Sequence, residues 1–232
     1  MEPAALPSDT AEFAARLEYS LGVWKAEGVK VVWLAVTRSQ AQLIPVCVAA
    51  GFVFHHAVED SLQMTRVLVP GSSVPPYATH YVGAGGVVLD GDKLLVVSER
   101  YKQFPGRRLK LPGGALQAGE HIAAAVVREV KEETGIDAKF DYLVSLRHWH
   151  GYRYGKSDIY FVCRLTPLST EIIMDTRELV ECLWLPLDEY LADTDVHPFN
   201  KLVVRAASAS RSGLAEQFIP EYKTETYELL VP

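Results

Sequence analysis

One stretch, from Gly113 to Ile136, constrains this chain more than any other: a glycine pair, a short polar loop ending in Gly119 and Glu120, then a run of alanine, valine and glutamate closed by Gly135. The apolar spacing predicts a helix over 120–134 with Gly135 as its stop. At about 100° per residue, Glu133 lies roughly 40° round from Glu129 and Glu132 about 60° to the other side, so the three share one face. Carboxylates about 6 Å apart repel by roughly 3 kcal/mol per pair at an effective dielectric near 20, which calls for a compensating cation. Oxygen-only ligands favour magnesium or manganese over zinc, and Mg²⁺ characteristically keeps waters and contacts substrate phosphates. A solvated acidic face is the ordinary reading of three such glutamates. Glycines at both ends, and Arg128 able to brace Glu132 or reach back to Glu120, set this one apart.

Around that segment the chain reads as α/β. Phe13, Leu17, Leu21 and Trp24 form a helical stripe closed by Gly28, followed by a strand over 30–37. A second helix is predicted over 40–50, with Pro45 in its first turn or kinking it, then strands over 52–56 and 62–69. The Pro- and Ser-rich run after Val69 is a linker, giving an α/β domain over 1–70, a linker over 71–79, a second domain over 80–212 and a tail over 213–232. In the second domain, β-branched runs over 82–89 and 93–99 flank Asp90-Gly91-Asp92, a hairpin signal, and strands are predicted over 138–148, 158–165 and 180–185, with a last helix over 198–210. This pattern is sheet, not a helix bundle.

The acidic segment resembles the Nudix box, G-x5-E-x7-R-E-U-x-E-E-x-G-U with U aliphatic, at Gly114, Glu120, Arg128, Glu129, Val130, Glu132, Glu133, Gly135 and Ile136. That resemblance implies a Nudix α/β/α sandwich with a mixed sheet and a metal-dependent hydrolase of nucleoside diphosphates linked to another moiety. It implies Glu129, Glu132 and Glu133 as ligands of Mg²⁺ or Mn²⁺, with the Gly113 or Gly114 carbonyl a further candidate ligand and Glu120 and Arg128 mainly structural. The segments 43–57, 80–86 and 155–158 are similar to a two-domain branch with a pre-Nudix domain, which includes plant ADP-ribose/NADH pyrophosphatases. ADP-ribose or NADH is the substrate that branch implies. Coenzyme A, nucleotide sugars, capped RNA and a binding or regulatory role without turnover are the alternatives. Leu109 departs from the branch, whose members usually carry Trp before the residue matching Lys110.

By the same resemblance Glu178, six residues before Trp184, is the leading candidate for ligand or general base beside Glu129 and Glu133. An exposed loop carboxylate is the competing reading, and Glu181 is a second choice. Arg147, His150 and Lys156 flank an aromatic, cationic loop suited to phosphate and base, with Asp158 holding the loop. The glycines at 83, 85 and 86 read as close backbone packing rather than a phosphate loop. His55 and His56, adjacent on a strand, are expected to face opposite sides. The first domain has an acetyltransferase-like order without an acyl-carrier loop, and reads as a substrate-shaping or dimerising module.

Composition narrows the partners. A net charge of −6, from 23 basic and 29 acidic side chains, argues against a broad grip on nucleic acid and fits a small-molecule nucleotide substrate; a homodimer is compatible with it. The start of the chain lacks a basic and an apolar signal region, no run approaches the roughly 20 apolar residues of a bilayer span, and Cys47, Cys163 and Cys182 read as reduced core thiols. A cytoplasmic protein beginning near Met1 is the expectation.

Overall fold

A computed structural model of the 232-residue chain describes residues 4, 6–101, 108–218 and 226–232. Residues 1–3, on which the start-site reading falls, and the middle of the expected tail lie outside the described residues. The chain divides into two units, Met1–Thr79 and His80–Pro232.

The first unit opens with α1 (Thr10–Ala26), whose first turn is capped by Asp9: its carboxylate accepts the Glu12 N–H at 2.7 Å. Phe13, Leu17 and Leu21 bury the helix against β1 (Val31–Thr37), which turns Val32, Leu34 and Val36 inward. The helix expected over 40–50 is two pieces, a 3₁₀ stretch at Arg38–Leu43 and α2 (Ile44–Ala49). Pro45 has no N–H and its ring crowds the carbonyl four residues back, so it starts a helix rather than continuing one. β2 (Val53–Val58) and β3 (Ser61–Val67) complete an antiparallel sheet in the order β1-β3-β2.

His55 and His56 do not separate to opposite sides as strand alternation predicts. The β2 register slips between Phe54 and His56, and this bulge brings the rings together, Nδ1 to Nδ1 at 2.5 Å. The Pro75 carbonyl accepts from His55 Nε2 at 2.8 Å, so His55 carries its proton there and its Nδ1 accepts from His56. His56 stacks on Tyr77 with ring centroids 4.0 Å apart, tying the stretch after β3 to the unit's own sheet.

In the second unit β4 (His80–Asp90) and β5 (Lys93–Glu99) form a hairpin through Gly91, where φ is +59°, and β6 (Gly113–Ala115) is followed by α3 (Ile122–Thr134). Then come β7 (Ala138–Trp149), β8 (Ser157–Pro167), β9 (Leu179–Pro186), α4 (Leu187–Ala192), α5 (Pro198–Ala209) and the short pair β10 (Ala215–Glu216) and β11 (Leu230–Val231). The mixed sheet runs β7-β8-β4-β5-β9, parallel only between β4 and β8, and β6 pairs with the first half of β4.

Alternation along the central strands feeds two cores. Val87, Leu94 and Val96 pack with Val203, Val204 and Ala207 of α5, whereas Ala84, Val88 and Leu95 pack with Val126 and Val130 of α3. Covering both faces makes the α/β/α sandwich, and each such fully buried Leu or Val contributes roughly 1.5–3 kcal/mol of transfer free energy. The cysteines are free thiols, Cys47 and Cys163 buried and Cys182 half-buried, and burial pushes Cys47 up to about 11. No described helix is long and apolar enough to cross a membrane.

Candidate active site

The acidic helix begins two residues later than its spacing predicts. His121 is extended and gives no side-chain cap; instead the Glu228 carboxylate, from beyond β10, accepts the Ile122 and Ala123 N–H groups at 2.8 and 2.9 Å. A carboxylate there also meets the positive end of the helix dipole. At the other end Gly135 turns left-handed at φ +76°, and an added Cβ would lie 2.7 Å from the Ile173 Cβ.

Arg128 organises the face between these ends. Its Nε and Nη2 donate to the two oxygens of Glu120 at 2.7 and 2.8 Å, and its Nη1 donates to both Glu129 and Glu132 at 2.9 Å. Those hydrogen bonds hold the Glu120 carboxyl down at about 2, well below the usual carboxylate range. Glu133 is the contrasting member. It is 6% exposed, accepts the Gly113 N–H at 2.8 Å, and burial pushes its carboxyl up to about 7 against the opposing influence of Lys110. Lys110 reaches Glu99 at 2.5 Å and Glu133 at 4.0 Å.

Glycine makes this approach of carboxylate to backbone feasible. A Cβ at Gly114 would sit 2.7 Å from the Glu129 carboxylate oxygens, and one at Gly113, where φ is +148°, would sit 2.3 Å from the Ala84 carbonyl. On β4, a Cβ at Gly85 would fall 2.1 Å from the Tyr160 hydroxyl and one at Gly83 2.9 Å from the Gly114 carbonyl. The β4 glycines thus clear room for Tyr160 and for β6, and β6 in turn meets the carboxylates.

Three adjoining cavities result. In the first, Glu129, Glu132 and Glu133 are joined by Glu99, Asp175 and Glu178, with Gly113 and Gly114 between them. The second, about 580 Å³, shares Glu99, Gly113 and Gly114 and brings in Lys110, Arg147 and Tyr160. Arg147 is fixed there: it donates to the buried Asp158 at 2.6 Å, and its guanidinium carbon lies 5.4, 5.3 and 5.0 Å from the ring centroids of Trp149, Tyr160 and Phe199. Its Nε is buried without a hydrogen-bond partner among the described residues. The third cavity shares Glu99, Lys110, Tyr152, Arg153 and Asn200 with the second and adds Leu109, Trp149, Asp195 and His197.

Of the positions singled out in the sequence, Gly114, Glu129, Glu132, Glu133 and Glu178 meet at the first cavity and Arg147 lines the second. Glu120 stands behind Arg128. His150 lines none of the three; it bonds the Ser157 hydroxyl at 3.0 Å and packs edge-on to His148. Lys156 also lines none and lies over the Tyr81 ring at 5.4 Å. Glu181 pairs with Ser98 in the sheet. Sequence reading passed over Glu99 and Asp175, whose place on the acidic wall comes from strand register and from a loop that no local spacing reveals.

The donor set suits a hard divalent cation: carboxylate oxygens and backbone carbonyls, with a glycine where a Cβ would fill the cradle. Among the described residues no three acidic, His or Cys side chains are already gathered round one point, since Glu129 and Glu132 meet on Arg128 and Glu133 on the Gly113 N–H.

Comparison with known proteins agrees in both units. A NUDIX domain model matches residues 79–207 and a Nudix hydrolase domain model matches residues 1–68. Nudix hydrolase 8 of Arabidopsis thaliana is 40% identical over 190 residues, covering 80% of this chain and 52% of that protein. Nudix hydrolase 2 of the same plant is 37% identical over 219 residues, covering 92% and 79%. Nucleoside diphosphate-linked moiety X motif 6 of Xenopus laevis is 39% identical over 212 residues, covering 82% and 97%. The chain therefore spans about half the length of the first of these relatives and nearly all of the last.

Proposed function

The chain belongs to the Nudix hydrolase family, and from that premise we propose that it hydrolyses a nucleoside diphosphate linked to a second moiety, ADP-ribose or NADH foremost, with Mg²⁺ or Mn²⁺ as cofactor. The observation that carries the proposal is the junction of an acidic cavity with one lined by Lys110 and Arg147, the charge pattern a metal-bound diphosphate needs on its two sides.

Glu129, Glu132 and Glu133, with the Gly114 carbonyl, would hold the metal. When bound it supplies positive charge to the phosphoryl oxygens and lowers the cost of ionising water. Arg147 and Lys110 orient the diphosphate and take up charge developing on its oxygens. Arg147 suits this because Asp158 and three aromatic rings fix its plane, so little side-chain freedom is lost on binding. Glu178, exposed on the acidic wall, accepts the proton of the attacking water, with Glu129 the alternative acceptor. From ADP-ribose the products are AMP and ribose 5-phosphate. Of the other sequence candidates, His150 and Lys156 act through the loop rather than on the diphosphate itself.

Glu133→Gln tests the reading. Turnover should fall at least ~100-fold, the scale of removing one acid–base or ligand group, while nucleotide binding persists. Unchanged turnover would exclude Glu133 from the chemistry; a wild-type chain that binds nucleotide without hydrolysing it would make this a binding protein. Glu178→Gln at full rate would pass the base role to Glu129.

A further inference from the structure

Beyond the diphosphate, the third cavity carries a polar wall that the hydrolytic reading leaves unused. It is formed by the turn into α5. Val196, 3% exposed and part of the core, anchors that turn, and Asp195 donates its own N–H to the Asp193 carboxylate at 2.8 Å. Asp195 and His197, on either side of the anchor, both line the cavity, as does Asn200 one turn later.

The hydrogen-bonding sense of Asp195 and of His197 can be assigned. The His197 Nδ1 accepts the Phe199 N–H at 3.2 Å, so the ring proton is on Nε2, which is a donor. The Asp195 carboxylate and the Asn200 side-chain amide make no hydrogen bond among the described residues. The wall thus offers an acceptor, Asp195, a donor, the His197 Nε2–H, and the Asn200 amide, which can serve as either. Trp149, 48% exposed, lines the same cavity, and its ring stacks with the fixed Arg147 and lies 5.2 Å from Tyr152. Aromatic surface faced by a directional polar edge is what a planar heterocycle requires, since stacking supplies affinity for any base and the polar edge selects among them. At about 540 Å³, the cavity has the size of a small-molecule site.

We propose that this cavity is the nucleobase subsite and that Asp195, with His197 and Asn200, selects adenine by its exocyclic amine. The inference rests on the diphosphate reading, which places a nucleoside beside Arg147. Adenine presents an amine donor next to a ring-nitrogen acceptor on one edge, the complement of a carboxylate next to an N–H donor. Hypoxanthine is the sharpest contrast: the amine becomes a carbonyl, and Asp195 then faces another oxygen. An unpaired or repelled polar group in a site built to hydrogen-bond discriminates more strongly than any change in apolar fit.

The test is equilibrium binding of AMP and IMP to the full chain, which needs no turnover. AMP should bind about tenfold more tightly, the scale of one good base-edge pair. Asp195→Asn, whose amide can donate to a 6-oxo group, should erase most of that preference with an unchanged melting temperature, since Asp195 is exposed. Trp149→Ala should weaken AMP and IMP alike. Equal binding of the two by wild type, a preference that survives Asp195→Asn, tighter binding of GMP than AMP, or no nucleotide binding each overturns the proposal. The diphosphate reading fails on a separate result, the absence of hydrolysis with intact AMP binding.

Discussion

The two larger sheets of this chain use glycine in opposite ways. In the first unit the strands β1 to β3 contain none, and Gly28 and Gly51 sit just past helix ends at φ +78° and +82°. In the second unit three glycines interrupt β4 itself, and a Cβ at each would meet atoms of Gly114, Tyr160, Val130 or Leu165 at 3.1 Å or less. Glycine inside a strand weakens it, so a sheet that tolerates three gains something elsewhere. What it gains is close approach: Tyr160 over β4, β6 beside it, and the Glu129 carboxylate against Gly114. Among the described residues, the unit whose strands lack glycine carries none of the carboxylate and cation walls; the unit with the interrupted strand carries all of them.

That contrast can be broken by substitution. Gly85→Ala should destabilise the second unit by about 1–3 kcal/mol, because its Cβ must displace a tyrosine packed within the sandwich. Adding Tyr160→Phe removes the nearest atom and should recover part of the loss, a coupling that denaturant melts of the single and double variants measure. Glu228→Ala should cost about 1 kcal/mol by uncapping α3, with weaker hydrogen-exchange protection at Ile122 and Ala123 and a first unit left untouched. The smallest effect has the opposite sign. Gly22 lies within α1 with nothing within 4 Å of a Cβ, so Gly22→Ala should stabilise the first unit by about 0.5–1 kcal/mol. A neutral Gly85→Ala would remove the distinction between the two sheets, and a destabilising Gly22→Ala would show that the first unit also depends on a glycine's missing side chain.

Much of this architecture was legible in the residues. Apolar periodicity located α1, β1, α3, α5 and the longer sheet strands to within about two residues but not the short strands β6, β10 and β11 or the helix α4, and the glutamate spacing put Glu129, Glu132 and Glu133 on one wall. What escaped depends on contacts distant in sequence. The start of α3 is set by Glu228, more than a hundred residues away, so no local cap could reveal it. The meeting of His55 and His56 follows from a bulge, which breaks the two-residue period on which strand reasoning rests. Asp175 and Glu99 join the acidic wall through a loop and a register; Asp195 and His197 sit in a turn whose sequence reads as an ordinary helix start. In each case the missing information was which elements become neighbours.

The central claim, that the acidic wall of the second unit performs metal-dependent cleavage of a nucleoside diphosphate, is tested most directly by following AMP release from ADP-ribose with Mg²⁺, with Mn²⁺ and with excess chelator. Release of AMP and ribose 5-phosphate with either metal, abolished by the chelator and restored by adding metal back, is the expected result. Hydrolysis that continues undiminished in the chelator, or none of any diphosphate offered, would contradict it.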